Sequence, residues 1–254
     1  MSLIVSVHSF RGGTGKSNTT ASLAVVLAQQ GQRVAIVDTD IQSPGIHVPF
    51  GFDADGLQRT INDYLHGVCP ITEVAVDVSD RIGPLAPGGQ VLLVPASIKA
   101  SEITRVLREG YDVGLLQEGF QSLLDDLAVD VLIIDTHPGL NEETLLSITL
   151  SDVLLLVLRP DQQDFQGTAV TVEIARRLEV PHMLLILNKL PSQMDEASAR
   201  QQVESAYRVP LGACLPMDEA IAMNASRRPF VLTAPEHPWS QQVRELAQRV
   251  LATP

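Results

Sequence analysis

Short runs of consecutive apolar residues recur along the chain, each followed by a longer stretch with helical spacing. The runs are Leu3–Val7, Arg33–Val37, Val91–Val94, Val131–Ile134, Val153–Leu158, Met183–Leu187 and Leu211–Leu215. They are continuous rather than alternating, as strands buried on both faces are. Helical spacing fills Lys16–Gln30, Ile103–Leu127, Gln166–Leu178 and Ala197–Tyr207, and a last amphipathic stretch covers Ser240–Leu251. This alternation predicts an α/β fold, a doubly wound, mostly parallel sheet with helices on both faces. No repeat or long linker interrupts it. The Gly/Pro-rich stretch Gly83–Gly89 reads as a loop, so residues 1–254 read as a single domain.

Composition narrows the classes. Hydrophobic residues make up 45% and charged residues 19%, which excludes wholesale disorder. The net charge is −12, and the only lysines are Lys16, Lys99 and Lys189. That balance argues against a uniformly basic nucleic-acid binder but leaves room for a local arginine patch. Cys69 and Cys214 form no CxxC pair and no disulfide framework, which fits a reducing cytoplasm. No apolar run approaches the length of a membrane span. The N-terminal MSLIVSVHS lacks a basic leader and reads as a first buried strand.

The most informative stretch is Phe10-Arg11-Gly12-Gly13-Thr14-Gly15-Lys16-Ser17, between the first strand and the first helix. A phosphate-binding loop needs that context. Glycines let backbone N–H groups turn inward toward phosphate oxygens, and the helix N-terminus adds partial positive charge. Lys16 would reach the β- and γ-phosphates and Ser17 would place its hydroxyl on Mg²⁺. The strict pattern asks for glycine where this chain has Phe10. The bland alternative is a glycine-rich turn without nucleotide.

Asp38 and Asp40 follow the second strand, at the crevice where ligands bind in such sheets. Solvated acids in a turn are the alternative. The strand Val131–Ile134 ends in Asp135, a Walker B arrangement that places this acid near the Mg²⁺ shell.

RGGTGKS resembles the deviant Walker A box of the ParA/MinD family of P-loop ATPases, written KGGxGK with Ser or Thr. Asp38-Thr39-Asp40 is similar to the family's DxD switch I. Asp135-Thr136-His137-Pro138-Gly139 is similar to its DxxPG switch II. Asn188 after the strand MLLIL, and Leu211–Asp218 with its LGxxPxD wording, resemble the base-binding segments. The resemblance runs from about Leu3 to Leu251, in the family's order.

It implies a P-loop NTPase fold, ATP and Mg²⁺ as cofactors, and a set of roles. ATP would be held by Arg11, Gly12, Gly13, Thr14, Gly15, Lys16, Ser17, Asn18, Gly139, Asn188, Pro216 and Met217. Ser17 would bind Mg²⁺ directly, with Asp38 and Asp135 in the surrounding water shell. Lys16, Asp40, Asp38 and Arg11 would serve catalysis: Asp40 orients the attacking water, Asp38 supports the metal and water network, and the Gly139 amide senses the γ-phosphate. Arg11 stands where the family has a lysine that crosses a dimer interface to the partner's phosphates. Its alternative is to anchor the loop or pair with an acid. His137 reads as a packing or hydrogen-bonding residue.

Within the family, cysteine usage argues against iron–sulfur carriers. Only Tyr64, Tyr111 and Tyr207 occur, too few for the tyrosine autokinases. The remaining branch positions or partitions DNA or other cargo. It implies an ATP-dependent homodimer, a separate protein that stimulates hydrolysis, and slow intrinsic turnover in the cytoplasm. The matrix would be non-specific DNA, bound through Arg176, Arg177, Arg227, Arg228, Arg244 and Arg249, with nucleoid association. A membrane is the less favoured matrix, because Ser240–Leu251 has only Arg244 and Arg249 as cations and reads better as a helix docked on the sheet. The alternatives are a membrane-associated division-site regulator, a nucleotide-binding regulator with weak hydrolysis, and a small-molecule synthetase.

Overall fold

A computed structural model of the chain describes residues 2–53 and 56–253. Among these residues the strands are β1 (Leu3–His8), β2 (Arg33–Asp38), β3 (Val76–Asp77), β4 (Gln90–Val94), β5 (Val131–Asp135), β6 (Val153–Leu158), β7 (His182–Leu190) and β8 (Leu211–Pro216). They form one sheet in the order β3-β4-β2-β5-β1-β6-β7-β8. Every pairing is parallel except the two-residue edge strand β3 against β4. That short edge gave no apolar run and escaped the sequence reading.

The continuous apolar runs are explained by cover on both faces. Val5, Val7, Val34, Ile36, Ile133 and Leu155 pack under the helices Lys16–Gln29 and Pro238–Leu251. On the other face Val37, Leu132 and Ile134 pack against the helix Gly114–Asp126, and Leu154, Leu156 and Leu187 against the helices Gln162–Arg177 and Glu196–Tyr207. The C-terminal helix is docked as expected: Trp239, Val243, Leu246, Ala247 and Val250 are buried. The Leu246 side chain lies against Gly212, where an added Cβ would come within 2.9 Å of it. Among the described residues no helix is long and apolar enough to cross a membrane.

Two expectations need correction. The helical stretch Ile103–Leu127 is two helices, Ala100–Glu109 and Gly114–Asp126. Gly110, at φ +66°, ends the first, and the Asp112 carboxylate accepts the Gly114 N–H at 2.8 Å to start the second. The helix expected from Gln166 begins at Gln162, because the Asp161 carboxylate caps it by accepting from Gln163 and Asp164 N–H.

Register assembles the site. Asp135 is level with Val7 on one side and with Asp38 on the other. The acids ending β2 and β5 therefore lie side by side, next to the loop that leaves β1.

Candidate functional site

The carboxyl end of the glycine loop is tied to one carboxylate. Lys16 Nζ donates to Asp135 Oδ1 at 2.9 Å, Thr20 Oγ1 to the same oxygen at 3.0 Å, and Ser17 Oγ to Oδ2 at 2.7 Å. Lys16 and Asp135 are both buried. Thr20 escaped the sequence reading, although its position one turn beyond Lys16 on the same helix was a usable signal.

Backbone geometry supplies the rest of the cradle. Gly15 sits at φ +96°, and a Cβ there would fall 2.2 Å from Asn188 Nδ2. Both facts require glycine. The 14-residue helix opening at Lys16 has no side-chain cap and no acid in its first turn. Its leading N–H groups are therefore left for another acceptor, and an anion suits them. The buried Thr14 hydroxyl has no hydrogen-bond partner among the described residues. A cleft of about 320 Å³ runs over Gly12–Asn18 and reaches Asp40, Ser43, Gly45 and Pro138. A phosphate group with a hard divalent cation fits this set of donors and hydroxyl and carboxylate oxygens.

Asp38 is fully buried. Its Oδ1 accepts the Asp40 N–H at 3.0 Å and its Oδ2 the Gly45 N–H at 3.2 Å, so it organises the loop after β2. Burial and the adjacent Asp135 push its carboxyl up to about 8, against the pull of Lys16. Burial also raises Asp40, whose Oδ1 accepts the Ser43 N–H at 3.1 Å. His137 Nε2 lies 3.8 Å from the same oxygen. Beneath them His8 Nδ1 and the Thr136 hydroxyl share a 2.8 Å hydrogen bond. Burial, then Lys16 and His137, push the His8 imidazole down to about 3, so it is neutral. The Gly139 N–H donates to the Ser9 carbonyl at 3.1 Å, joining the two loops directly.

A second cavity of about 480 Å³ adjoins the glycine loop and is lined by Asn18, Asn188, Lys189, Pro216, Met217, Ile221 and Trp239 among others. Asn188 Nδ2 donates to the Thr14 carbonyl at 2.7 Å and Lys189 Nζ to the Gly13 carbonyl at 2.9 Å. Both side chains brace the loop, a task the sequence did not reveal. Asn188 Oδ1 faces its own neighbour's N–H.

The amino end of the loop is held differently. The Phe10 ring lies on Gly167, where an added Cβ would come within 2.0 Å of it. A glycine on a distant helix thus accommodates the bulky residue that departs from the strict motif. Arg11 Nη1 is 3.8 Å from Asp164 Oδ1 and 3.9 Å from Asp161 Oδ1. Asp164 is held by Arg159, whose Nε and Nη2 donate at 2.8 and 3.0 Å. Burial pushes the Asp164 carboxyl up, but the hydrogen bonds and charge of Arg159 outweigh it and hold it below its ordinary value.

The six arginines read as a matrix-binding set are mostly engaged locally. Arg176 donates to the Tyr207 carbonyl, Arg177 to Glu173, Arg244 to the Pro235 carbonyl and Arg249 to the Leu211 carbonyl. Arg227 and Arg228 lie exposed together beyond the helix Glu219–Asn224.

A family model described as AAA domain matches residues 2–181. An uncharacterized ATP-binding protein of Methanocaldococcus jannaschii is 29% identical over 252 residues, 99% of this chain and 88% of that protein. The iron-sulfur cluster carrier protein of Pyrococcus furiosus is 29% identical over 191 residues, 72% of this chain and 60% of that protein. Among solved structures, the cell division ATPase MinD of Pyrococcus furiosus superposes with a TM-score of 0.81 at 24% identity, covering 99% of both chains. The septum site-determining protein MinD of Pyrococcus horikoshii, complexed with Mg-ADP, superposes with a TM-score of 0.80 at 24% identity, covering 98% of this chain and 96% of that one.

Proposed function

Since the chain belongs to the ParA/MinD family of P-loop ATPases, we propose that it is an ATP-driven switch that positions or partitions DNA or another intracellular cargo. Two copies would close on ATP and Mg²⁺, and a separate partner protein would stimulate hydrolysis and release. One observation carries this reading: the side chains of Lys16, Ser17 and Thr20 converge on Asp135, beside Asp38 and Asp40 at one edge of the glycine cradle.

The phosphates would lie on the Gly12–Ser17 amides, with Lys16 leaving Asp135 for their oxygens. Ser17 would hold Mg²⁺, with Asp38 and Asp135 accepting from its water ligands. The cation, when bound, neutralises charge that develops on the phosphate oxygens. Asp40 would orient the attacking water, so positioning supplies most of the catalysis. The base would enter the cavity lined by Asn188, Pro216 and Met217. The two loops that carry Asp40 and Gly139 rest on Asp38 and on the Ser9 carbonyl, contacts that a γ-phosphate would redraw.

Cargo positioning is favoured over cluster carriage by the cysteines. Cys69 is partly buried against the core that holds Phe120 and Leu123, whereas Cys214 is buried in the separate core of Leu187 and Leu211. Burial pushes the Cys214 thiol up to about 11, which disfavours the thiolate a cluster needs.

The test is light scattering coupled to size exclusion, on wild type and Asp40→Ala, with ADP and with ATP and Mg²⁺. A dimer formed only with ATP, and held longer by Asp40→Ala, is the expected result. A mass independent of nucleotide would refute the switch.

A further inference from the structure

The Arg11 guanidinium lies near two carboxylates yet is bonded to neither. Its Nη1 is 3.8 Å from Asp164 and 3.9 Å from Asp161, beyond hydrogen-bond reach. Both acids have other obligations. Asp164 accepts three bonds from Arg159, including its N–H, and is itself buried. Asp161 Oδ1 caps its helix through two N–H groups, and Arg159 Nη2 lies 3.3 Å from Oδ2. Arg11 is therefore attracted by charge alone, with its side chain 42% exposed. Its backbone is pinned, because the Ser9 hydroxyl donates to the Arg11 carbonyl at 2.8 Å and Phe10 is seated on Gly167. A long cationic side chain thus sits loosely on a fixed pivot, in the same loop as Ser9 and Gly12, which line the cleft.

We propose that Asp161 and Asp164 form a resting site in cis for Arg11, which the guanidinium must leave to reach a nucleotide bound by a second copy. This rests on the ATP-dependent dimer proposed above. Asp161 is then a positioning residue: it acts through Arg11 and sets the threshold for closing the dimer. Arg159 matters because it occupies Asp164 and keeps that carboxylate from gripping Arg11 with hydrogen bonds. An attraction of this kind is weak in half-exposed surroundings and is screened by salt. A weak hold suits a group that has to be released.

The experiment measures the dimerisation constant of the full chain with a non-hydrolysable ATP analogue and Mg²⁺, by sedimentation in low and high salt. Asparagine caps helices as well as aspartate does, so Asp161→Asn removes the charge and spares the helix. Asp161→Asn is expected to dimerise more tightly by about two- to thirtyfold in low salt, one exposed ion pair being released in each copy. The gain should shrink in about 0.5 M salt, vanish in an Arg11→Ala background, and be absent from Asp161→Glu. A purely structural effect of the asparagine would persist in high salt and in the Arg11→Ala background. Equal constants for Asp161→Asn and wild type, or a gain that survives Arg11→Ala, would overturn the resting site. A wild type that stays monomeric at every concentration would instead remove the dimer itself, and the resting site with it.

Discussion

The two ends of the glycine loop are anchored by opposite means. At its carboxyl end, Lys16, Ser17 and Thr20 reach one buried carboxylate through bonds of 2.7 to 3.0 Å. At its amino end, a ring lies on a glycine and a guanidinium stands 3.8 Å from its nearest acid. Both ends carry a cation, but burial differs: Lys16 is 7% exposed and the Arg11 side chain 42%. A buried cation among carboxylates is committed to an anionic partner and moves only to another anion, because leaving it unpaired costs several kcal/mol. An exposed one is held by about 0.2–1 kcal/mol and can move. One end of the loop thus suits chemistry on its own nucleotide, and the other suits contact with something outside the protomer.

The largest effect expected is at the committed end. Lys16→Ala should lower ATP turnover by about 10²- to 10³-fold, the usual loss when one electrostatic stabiliser of a transition state is removed. Steady-state phosphate release checks it. Turnover within tenfold of wild type would mean that Lys16 serves the fold through Asp135 rather than the phosphates.

Next comes the carboxylate beside it. Asp38 is raised to about 8, so in the absence of metal and nucleotide the folded chain holds a proton that the unfolded chain releases near 4. The unfolded state then binds fewer protons between those values, and stability must fall as pH rises from about 4 to 8. The contribution is at most about 1.4 kcal/mol per pH unit. Asp38→Asn should remove it: the difference in melting temperature between variant and wild type should grow in the variant's favour from pH 5 to pH 8. A difference that does not change with pH would show that Asp38 is already ionised.

The smallest effect lies at the releasable end. Gly167→Ala would put a methyl group where Phe10 sits. Overpacking costs about 1–3 kcal/mol, and replacing a helical glycine returns about 1 kcal/mol. A net loss of up to about 2 kcal/mol is expected in urea unfolding. Adding Phe10→Ala should recover part of it, since the clash then has no partner. A Gly167→Ala chain more stable than wild type would show that the ring moves aside freely.

Much of the fold and the core of the site were legible because their signals are local. The glycine loop, Asp38, Asp40, Asp135 and Asn188 are short motifs attached to strand ends, and strands buried on both faces announce themselves as unbroken apolar runs. The division of Ile103–Leu127 was legible too, in Gly110 and Asp112, but the helical spacing on either side masked it. The edge strand Val76–Asp77 was not, since two residues carry no period. The role of Arg11, drawn from the family resemblance, is tested by the dimerisation experiment above.

By itself the sequence determined which residues could cradle a phosphate and in what order the strands and helices would follow, because backbone freedom, periodicity and capping act within a few residues. Only the tertiary structure decided what Phe10 and Arg11 face. Gly167, Asp161 and Asp164 lie some 150 residues further along the chain. They meet the loop because β6 pairs directly with β1 in the sheet and so brings the start of the following helix beside the loop that leaves β1. A glycine on one element and a ring on another carry no shared pattern along the chain. Their fit exists only once the sheet has chosen its neighbours.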